Sequence, residues 1–402
     1  MDNGSLWLLL VLALAIGWAL GYRYKASRQE AQTQTYTPPN DMKHRLQLLF
    51  DTYSDEAIDQ FIQGLEVRPD TLPLHISIGK HFRTEGEVDK AILVHQNLMA
   101  HPELSDQASE PIIYELAKDY RAAGLYDRAE ALLMQLRGSK EFGVRSRKLL
   151  LDIYEREQDW EDAVATAQQI DLRKHPDVSL KTAYYWCEIA QRKQQQHNLV
   201  EARMALRKAL SSDRTCVRAY LMMAEIEIQV GAYQAAIKQL KQVAQFAPEY
   251  AVLSLPLLRE CSLETDTLDK FHRYLEQLFA ETGQMQLQLA LIDSLVRNDQ
   301  REAANTLLSA LLERAPDLPV MRLWLKLNAH NSIGQSLPYE AIDKVVEQQY
   351  RALPAFQCGH CGFAGEIINW LCPSCRNWQT TKPRLDYLKT SDQRAHAALD
   401  NT

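Results

Sequence analysis

IIYELAKDYRAAGLYDRAEALLMQL, residues 112–136, is the stretch whose reading decides the fold. Two amphipathic segments flank Gly124, and both are built from residues that favour helix. Ala117 on the first and Ala129 on the second are small, so the two helices can approach closely there. Leu133, four residues past Ala129, shares its face and fills the space beside it. A glycine between the segments suits the turn, because it accepts a positive φ without strain.

The same phrase recurs outward along the chain. Ala57, Ala91, Ala129, Ala163, Ala202 and Ala236 are separated by 34, 38, 34, 39 and 34 residues. Ala304 follows 68 residues on, two periods of 34, with a degenerate unit over 252–282, near Lys270, between them. Twelve residues before these alanines stand Gly79, Ala117, Leu151, Ala190, Ala224 and Ile292, and nine before stand Phe82, Tyr120 and Tyr154. Four after stand Phe61, His95, Leu133, Leu206, Leu240 and Leu308. Pro69, Pro248 and Pro316 lie twelve after, with Pro102 displaced by one, where a residue that cannot continue a helix ends it. Gly124 and Gly231 fall at the turn within a unit.

This phase resembles the tetratricopeptide repeat, a helix–turn–helix unit. One unit cannot bury its own apolar face, so neighbours must stack into a solenoid. The resemblance implies an array over residues 44–350, about eight units, with a concave surface lined by each unit's first helix, where peptides or protein segments bind. The groove-facing positions of the second to fourth units include Lys80, Arg83, Lys118, Arg121, Arg145 and Lys148. A basic stripe of this kind suits an acidic partner segment or anionic lipid headgroups, and it also fits an ordinary solvated face.

LWLLLVLALAIGWAL, residues 6–20, is nearly unbroken apolar sequence. With its flanks it gives a transmembrane helix over 5–22, near the lower length for a hydrocarbon core of roughly 30 Å. Trp7, Trp18, Tyr22 and Tyr24 sit near its ends, where such rings favour the interface. Asp2 precedes the run and Arg23, Lys25 and Arg28 follow it, which places the N-terminus outside and the body in the cytoplasm. A cleaved signal peptide is the rival reading, but it needs a basic start and small residues at its end. Residues 23–43, polar and containing Pro38-Pro39, read as a linker.

Four of the seven cysteines cluster near the C-terminus as Cys358-x2-Cys361 and Cys372-x2-Cys375, ten residues apart. Each pair can form a knuckle, with Gly359, Gly362 and Pro373 in the turns. Four thiolates complete a tetrahedral sphere, so this is a metal site, and residues 354–380 form a small ribbon that it holds together. The intervening GFAGEIINWL is long enough for a short hairpin, and Phe356, Phe363, Trp370 and Trp378 are candidates for its core. His360 is expected to face solvent. Residues 381–402 read as a polar tail. The site resembles a rubredoxin-type fold, which leaves one zinc ion or an iron ion as cofactor. Arg376, where such folds usually carry glycine, and the short loop between the knuckles favour zinc. Cys187, Cys216 and Cys261 lie in apolar helical patterns and read as buried thiols of a reducing compartment.

The net charge of −7 argues against nucleic-acid binding, which needs a basic footprint. There is no phosphate-binding loop, dinucleotide fingerprint, HExxH or GxSxG, so nothing argues for an enzyme. The fold class is therefore mainly α: a transmembrane helix, a tetratricopeptide-repeat α-solenoid and a small rubredoxin-like zinc ribbon.

The order of anchor, repeats and a CGHCG…CPSC ribbon followed by NWQTTKP is similar to the lipopolysaccharide assembly protein B family, over essentially the whole chain. The resemblance implies a single-pass protein of the bacterial inner membrane, with a short periplasmic N-terminus and a cytoplasmic body. It implies an adaptor that regulates lipopolysaccharide biosynthesis by presenting the deacetylase of the committed lipid A step to the membrane protease FtsH. An inner-membrane lipopolysaccharide-sensing protein is a further implied partner, and the ribbon is implied to pack against the array. Two other function classes remain: an iron-binding redox module on a repeat scaffold, and a generic membrane scaffold or co-chaperone. Homo-oligomer formation also stays open.

Overall fold

The computed structural model describes residues 71–328 apart from 102, 103 and 315, a few positions between 342 and 349, and residues 353–384. The expected anchor at 5–22, the linker at 23–43, the unit around Ala57 and most of the tail lie outside the described residues. Among the described residues no helix is long and apolar enough to cross a membrane.

Fifteen α-helices and three short strands are described. The helices are α1 Leu72–Thr84, α2 Val88–Met99, α3 Asp106–Ala122, α4 Tyr126–Gln135, α5 Gly143–Glu157, α6 Trp160–Ala167, α7 Pro176–Gln195 and α8 Leu199–Ser212. They continue as α9 Val217–Gln229, α10 Tyr233–Phe246, α11 Ala251–Glu264, α12 Leu268–Thr282, α13 Met285–Arg297, α14 Arg301–Arg314 and α15 Leu318–Asn328. The strands are β1 Phe356–Cys358, β2 Ala364–Gly365 and β3 Thr381–Pro383. Two compact units result, Met1–Ile153 and Tyr154–Thr402, the boundary falling within α5.

In each hairpin the small residues do what their spacing requires. Ala91, Ala129, Ala163, Ala202, Ala236 and Ala304 have no exposed surface, and neither do Leu133, Leu206, Leu240 and Leu308 four residues later. A side chain larger than alanine has no room at such a position without moving a helix. Pro248 follows the end of α10 and Pro316 the end of α14, as expected of residues that stop a helix.

The turns inside the hairpins share one geometry. The residue five before each signature position takes a positive φ: Gly86, Gly124, Gln158, His197, Gly231, Asp266 and Asp299. The next residue's N–H then closes onto a carbonyl near the end of the first helix, as in Leu125 N to Tyr120 O at 2.8 Å and Thr267 N to Ser262 O at 2.8 Å. This is the left-handed closure that satisfies a helix's last carbonyls.

The same geometry corrects the register of the degenerate unit. Five residues after Asp266 comes Phe271, not Lys270. The true steps are therefore 35 and 33, and the alanine position of α11–α12 is filled by Phe271, which is buried. Lys270, at the position a constant period selects, is exposed.

In the second unit one core runs continuously from α9 through α15 and into the ribbon, where Ala355 and Phe356 are buried members and Ile368 and Trp370 pack against it. The ribbon sheet has the order β2-β1-β3, antiparallel throughout. β3 pairs Pro383, Lys382 and Thr381 with Phe356, Gln357 and Cys358, so sheet pairing continues past residue 380. The segment between the knuckles contributes β2 and an isolated bridge from Leu371 to Trp378 rather than a hairpin of its own.

Candidate metal centre and the ribbon dock

The two knuckles are built alike. The Cys358 carbonyl accepts from Gly362 N at 3.0 Å and its N–H donates to Phe363 O at 2.7 Å. The Cys372 carbonyl accepts from Arg376 N at 2.9 Å and its N–H donates to Asn377 O at 3.1 Å. Both turns need a left-handed residue just after the second cysteine, and Gly362 (φ 79°) and Arg376 (φ 54°) supply it. Arg376 departs from the usual glycine in residue type while keeping the glycine conformation, at a cost of about 1 kcal/mol.

The knuckles bring Cys358, Cys361, Cys372 and Cys375 together, with all four sulfurs within 4.8 Å of one another. Cys358 Sγ lies 3.7 Å from Cys375 Sγ, and Cys361 Sγ 3.6 Å from Cys372 Sγ. Sulfurs at about 2.3 Å from one tetrahedral ion stand about 3.8 Å apart, whereas a disulfide needs about 2.05 Å. The donor set thus fits one metal ion in a closed sphere. Burial works against the Cys358 thiolate, but Thr380 and the N–H groups of Cys361 and His360 outweigh it and bring the thiol down to about 6. Burial pushes Cys372 up to about 11. Cys361 and His360 are exposed, so His360 faces solvent as expected.

Three of the four aromatic residues expected to form a private ribbon core, Phe356, Trp370 and Trp378, instead pack against the helices. Trp378 is 6% exposed and stacks on Tyr184 of α7 at 4.7 Å and 24°. It meets Trp160 and Tyr185 edge-on, both at 6.3 Å. Its Nε1 donates to Glu155 Oε2 at 2.9 Å, and Lys181 Nζ holds the other carboxylate oxygen at 2.7 Å. Trp370 packs between Tyr184 at 6.0 Å and Tyr250 at 6.4 Å.

Gln379 completes the dock and was not singled out by the sequence. Its Oε1 accepts from Tyr184 OH at 2.7 Å and Val217 N at 3.2 Å, and its Nε2 donates to Thr215 O at 2.9 Å. Tyr250 OH donates to its carbonyl at 2.6 Å. A side-chain amide satisfied on both ends, next to a buried tryptophan, fixes the ribbon in one orientation. Its only sequence signal was position, directly after the second knuckle. Behind the dock, Cys187 and Cys216 are fully buried with their sulfurs 3.7 Å apart, as expected of structural thiols.

The basic stripe lies in the first unit on α1, α3 and α5. It is laced with carboxylates. Glu115 receives Lys80 at 3.2 Å, Arg83 at 2.6 Å and Lys118 at 3.0 Å. Arg83 also holds buried Asp119 at 2.6 Å, and Arg121 pairs with Asp152. Arg145 lies over the Phe142 ring. Lys148 sits three residues past Arg145 on α5. Four of the six cations thus share three carboxylates, and the surplus is smaller than the sequence alone implies.

These features define a class: a tetratricopeptide-repeat protein that carries a four-cysteine metal-ligand ribbon clamped onto its own helices. The tetratricopeptide-repeat family profile matches residues 114–178. Lipopolysaccharide assembly protein B of Escherichia coli strain K12 is 30% identical over 383 residues, covering 94% of this chain and 97% of its own. The Haemophilus influenzae protein of the same name is 29% identical over 389 residues, with the same coverage. The chain belongs to the lipopolysaccharide assembly protein B family. Among solved structures, a MamA protein is 19% identical and covers 45% of this chain and 94% of its own at a TM-score of 0.33, a likeness too loose to bear on function.

Proposed function

We propose that this chain is a non-enzymatic adaptor in lipopolysaccharide assembly, which limits lipid A synthesis by presenting the pathway's deacetylase to the membrane protease FtsH. The observation that carries this reading is the full-length likeness to relatives named for lipopolysaccharide assembly. An array of helical hairpins with a metal-ligand ribbon fixed on it suits the role, because it offers surface rather than reactive groups. Holding a substrate and a protease on one body raises their effective concentration without bond chemistry.

In this reading residues 5–22 anchor the body to the cytoplasmic side of the inner membrane. The linker at 23–43 gives the array over 44–350 reach, and an inner-membrane lipopolysaccharide sensor modulates it. Zinc is the ion at Cys358, Cys361, Cys372 and Cys375, in a structural role, since four thiolates leave it no open position. The cations Lys80, Arg83, Lys118, Arg121, Arg145 and Lys148 contribute to partner binding. Depleting the protein and following deacetylase turnover tests the adaptor role: the half-life should lengthen, and an unchanged half-life would overturn it. Metal analysis of purified protein should find zinc. A red, iron-loaded protein would favour the redox reading instead.

A further inference from the structure

Tyr114 of α3 and Phe142, just before α5, form a ring pair in the first unit, with centroids 5.3 Å apart at 46°. The repeat pattern singles out neither. Each ring carries a cation. Lys118 Nζ lies 5.6 Å from the Tyr114 centroid, and the Arg145 guanidinium 5.7 Å from that of Phe142. Support on a ring face restricts a long side chain, so both charges are placed before a ligand arrives.

The charges around this pair are uneven. Burial pushes the Tyr114 phenol up and Glu115 adds to it, while Arg145, Arg121 and Arg83 pull the other way, so three guanidinium groups act on one hydroxyl. Among the described residues neither the Tyr114 hydroxyl nor the Arg145 guanidinium has a hydrogen-bond or ion-pair partner. The nearby carboxylates are committed elsewhere: Glu115 to Lys80, Arg83 and Lys118, Asp119 to Arg83 and His95, and Asp152 to Arg121.

We propose that Tyr114, Lys118 and Arg145 form a preorganised clamp for the carboxylates of an acidic polypeptide segment. The proposal rests on the adaptor reading and names the chemistry of the segment the adaptor holds. A flat anionic bilayer is the poorer fit. Arg83, Lys118 and Arg121 are only 13%, 29% and 31% exposed and are interleaved with three carboxylates. A membrane surface rewards extended, freely exposed lysines and arginines and would meet those carboxylates too. Single side chains of a peptide can reach between them, and two charge-assisted contacts then set the register.

The test titrates a fluorescein-labelled oligo-glutamate peptide with the full-length protein in detergent, read by anisotropy. Arg145→Gln and Lys118→Gln should each weaken binding about tenfold, and Tyr114→Phe about threefold, the losses expected for one charged and one neutral contact. Lys238→Gln, at an exposed lysine of the second unit, should change nothing. Tyr114→Phe keeps the ring pair, so an unaltered melting curve shows that its loss is local. Equal affinity in Arg145→Gln, Lys118→Gln and Tyr114→Phe overturns the clamp. A parallel titration with vesicles containing phosphatidylglycerol covers the other source of negative charge: variants that lose vesicle binding but keep the peptide overturn it in favour of headgroups. Neither titration involves deacetylase or protease, so failure here is separate from failure of the half-life experiment.

Discussion

Asp119 has no exposed surface, and two side chains stabilise its charge: Arg83, and His95, which is equally buried. His95 occupies a position that holds leucine in most other hairpins. The substitution fits because residue 79, across the hairpin, is glycine: a Cβ built there would stand 2.4 Å from His95 Cε1. Gly79 and His95 are thus one exchange, a bulkier polar ring accommodated by a missing methyl. Gly79→Ala should cost about 1–3 kcal/mol by overpacking. Adding His95→Leu relieves the overlap but removes a partner of Asp119, so the double variant should be less destabilised than the sum of the two single ones, and a double-mutant cycle on thermal unfolding measures that coupling. Arg83→Met should cost about 3–5 kcal/mol, because it leaves a buried carboxylate with one partner fewer. The sequence displayed both exceptions, but their compensation was hidden. It depends on contact between two helices, and a positional series within each does not reveal that.

At the scale of the helix hairpin, the fold was legible because one small residue and one large one recur four apart on most of the second helices. Burial of that face is the same physical demand each time, so the pattern survives changes in every other residue. What misled the reading was the assumption of a constant period. The left-handed turn, rather than the alanine, is the fixed point: Asp266 takes the positive φ that Gly86, Gly124 and Gly231 take in other turns, and it locates Phe271 at the signature site. Two outcomes follow. Phe271→Ala, though it restores the common residue, should destabilise by about 3–5 kcal/mol, because α11 and α12 have packed around the ring. Gln158→Gly and His197→Gly should each raise stability by about 0.5–1 kcal/mol, because a side chain at φ 59° is strained where glycine is not. Chemical denaturation of each variant reads both signs.

On the scale of the whole molecule, the ribbon and the second helical unit share a core. The metal-ligand spacing was plain in the sequence, since CxxC pairs are local. The dock was not, because Trp378 to Glu155 and Gln379 to Thr215 join segments 223 and 164 residues apart. A tryptophan beside a knuckle looks the same whether it fills the ribbon or leaves it. Trp378→Phe should keep most of the stacking and forfeit about 1–3 kcal/mol from the unpaired Glu155 oxygen, whereas Trp378→Ala should cost about 3–5 kcal/mol and free the ribbon. So few residues cannot hold this ribbon by burial alone, and in the zinc reading proposed above the ion at the four cysteines is the keystone of the dock. Hydrogen exchange on the full chain, metal-loaded against chelator-stripped, tests this most directly. The account predicts that stripping removes protection from residues 356–383 and from the backbone around Tyr184, Val217 and Tyr250, while α1–α4 stay as protected as before. Metal loss that leaves the ribbon and its contact helices equally protected would contradict it.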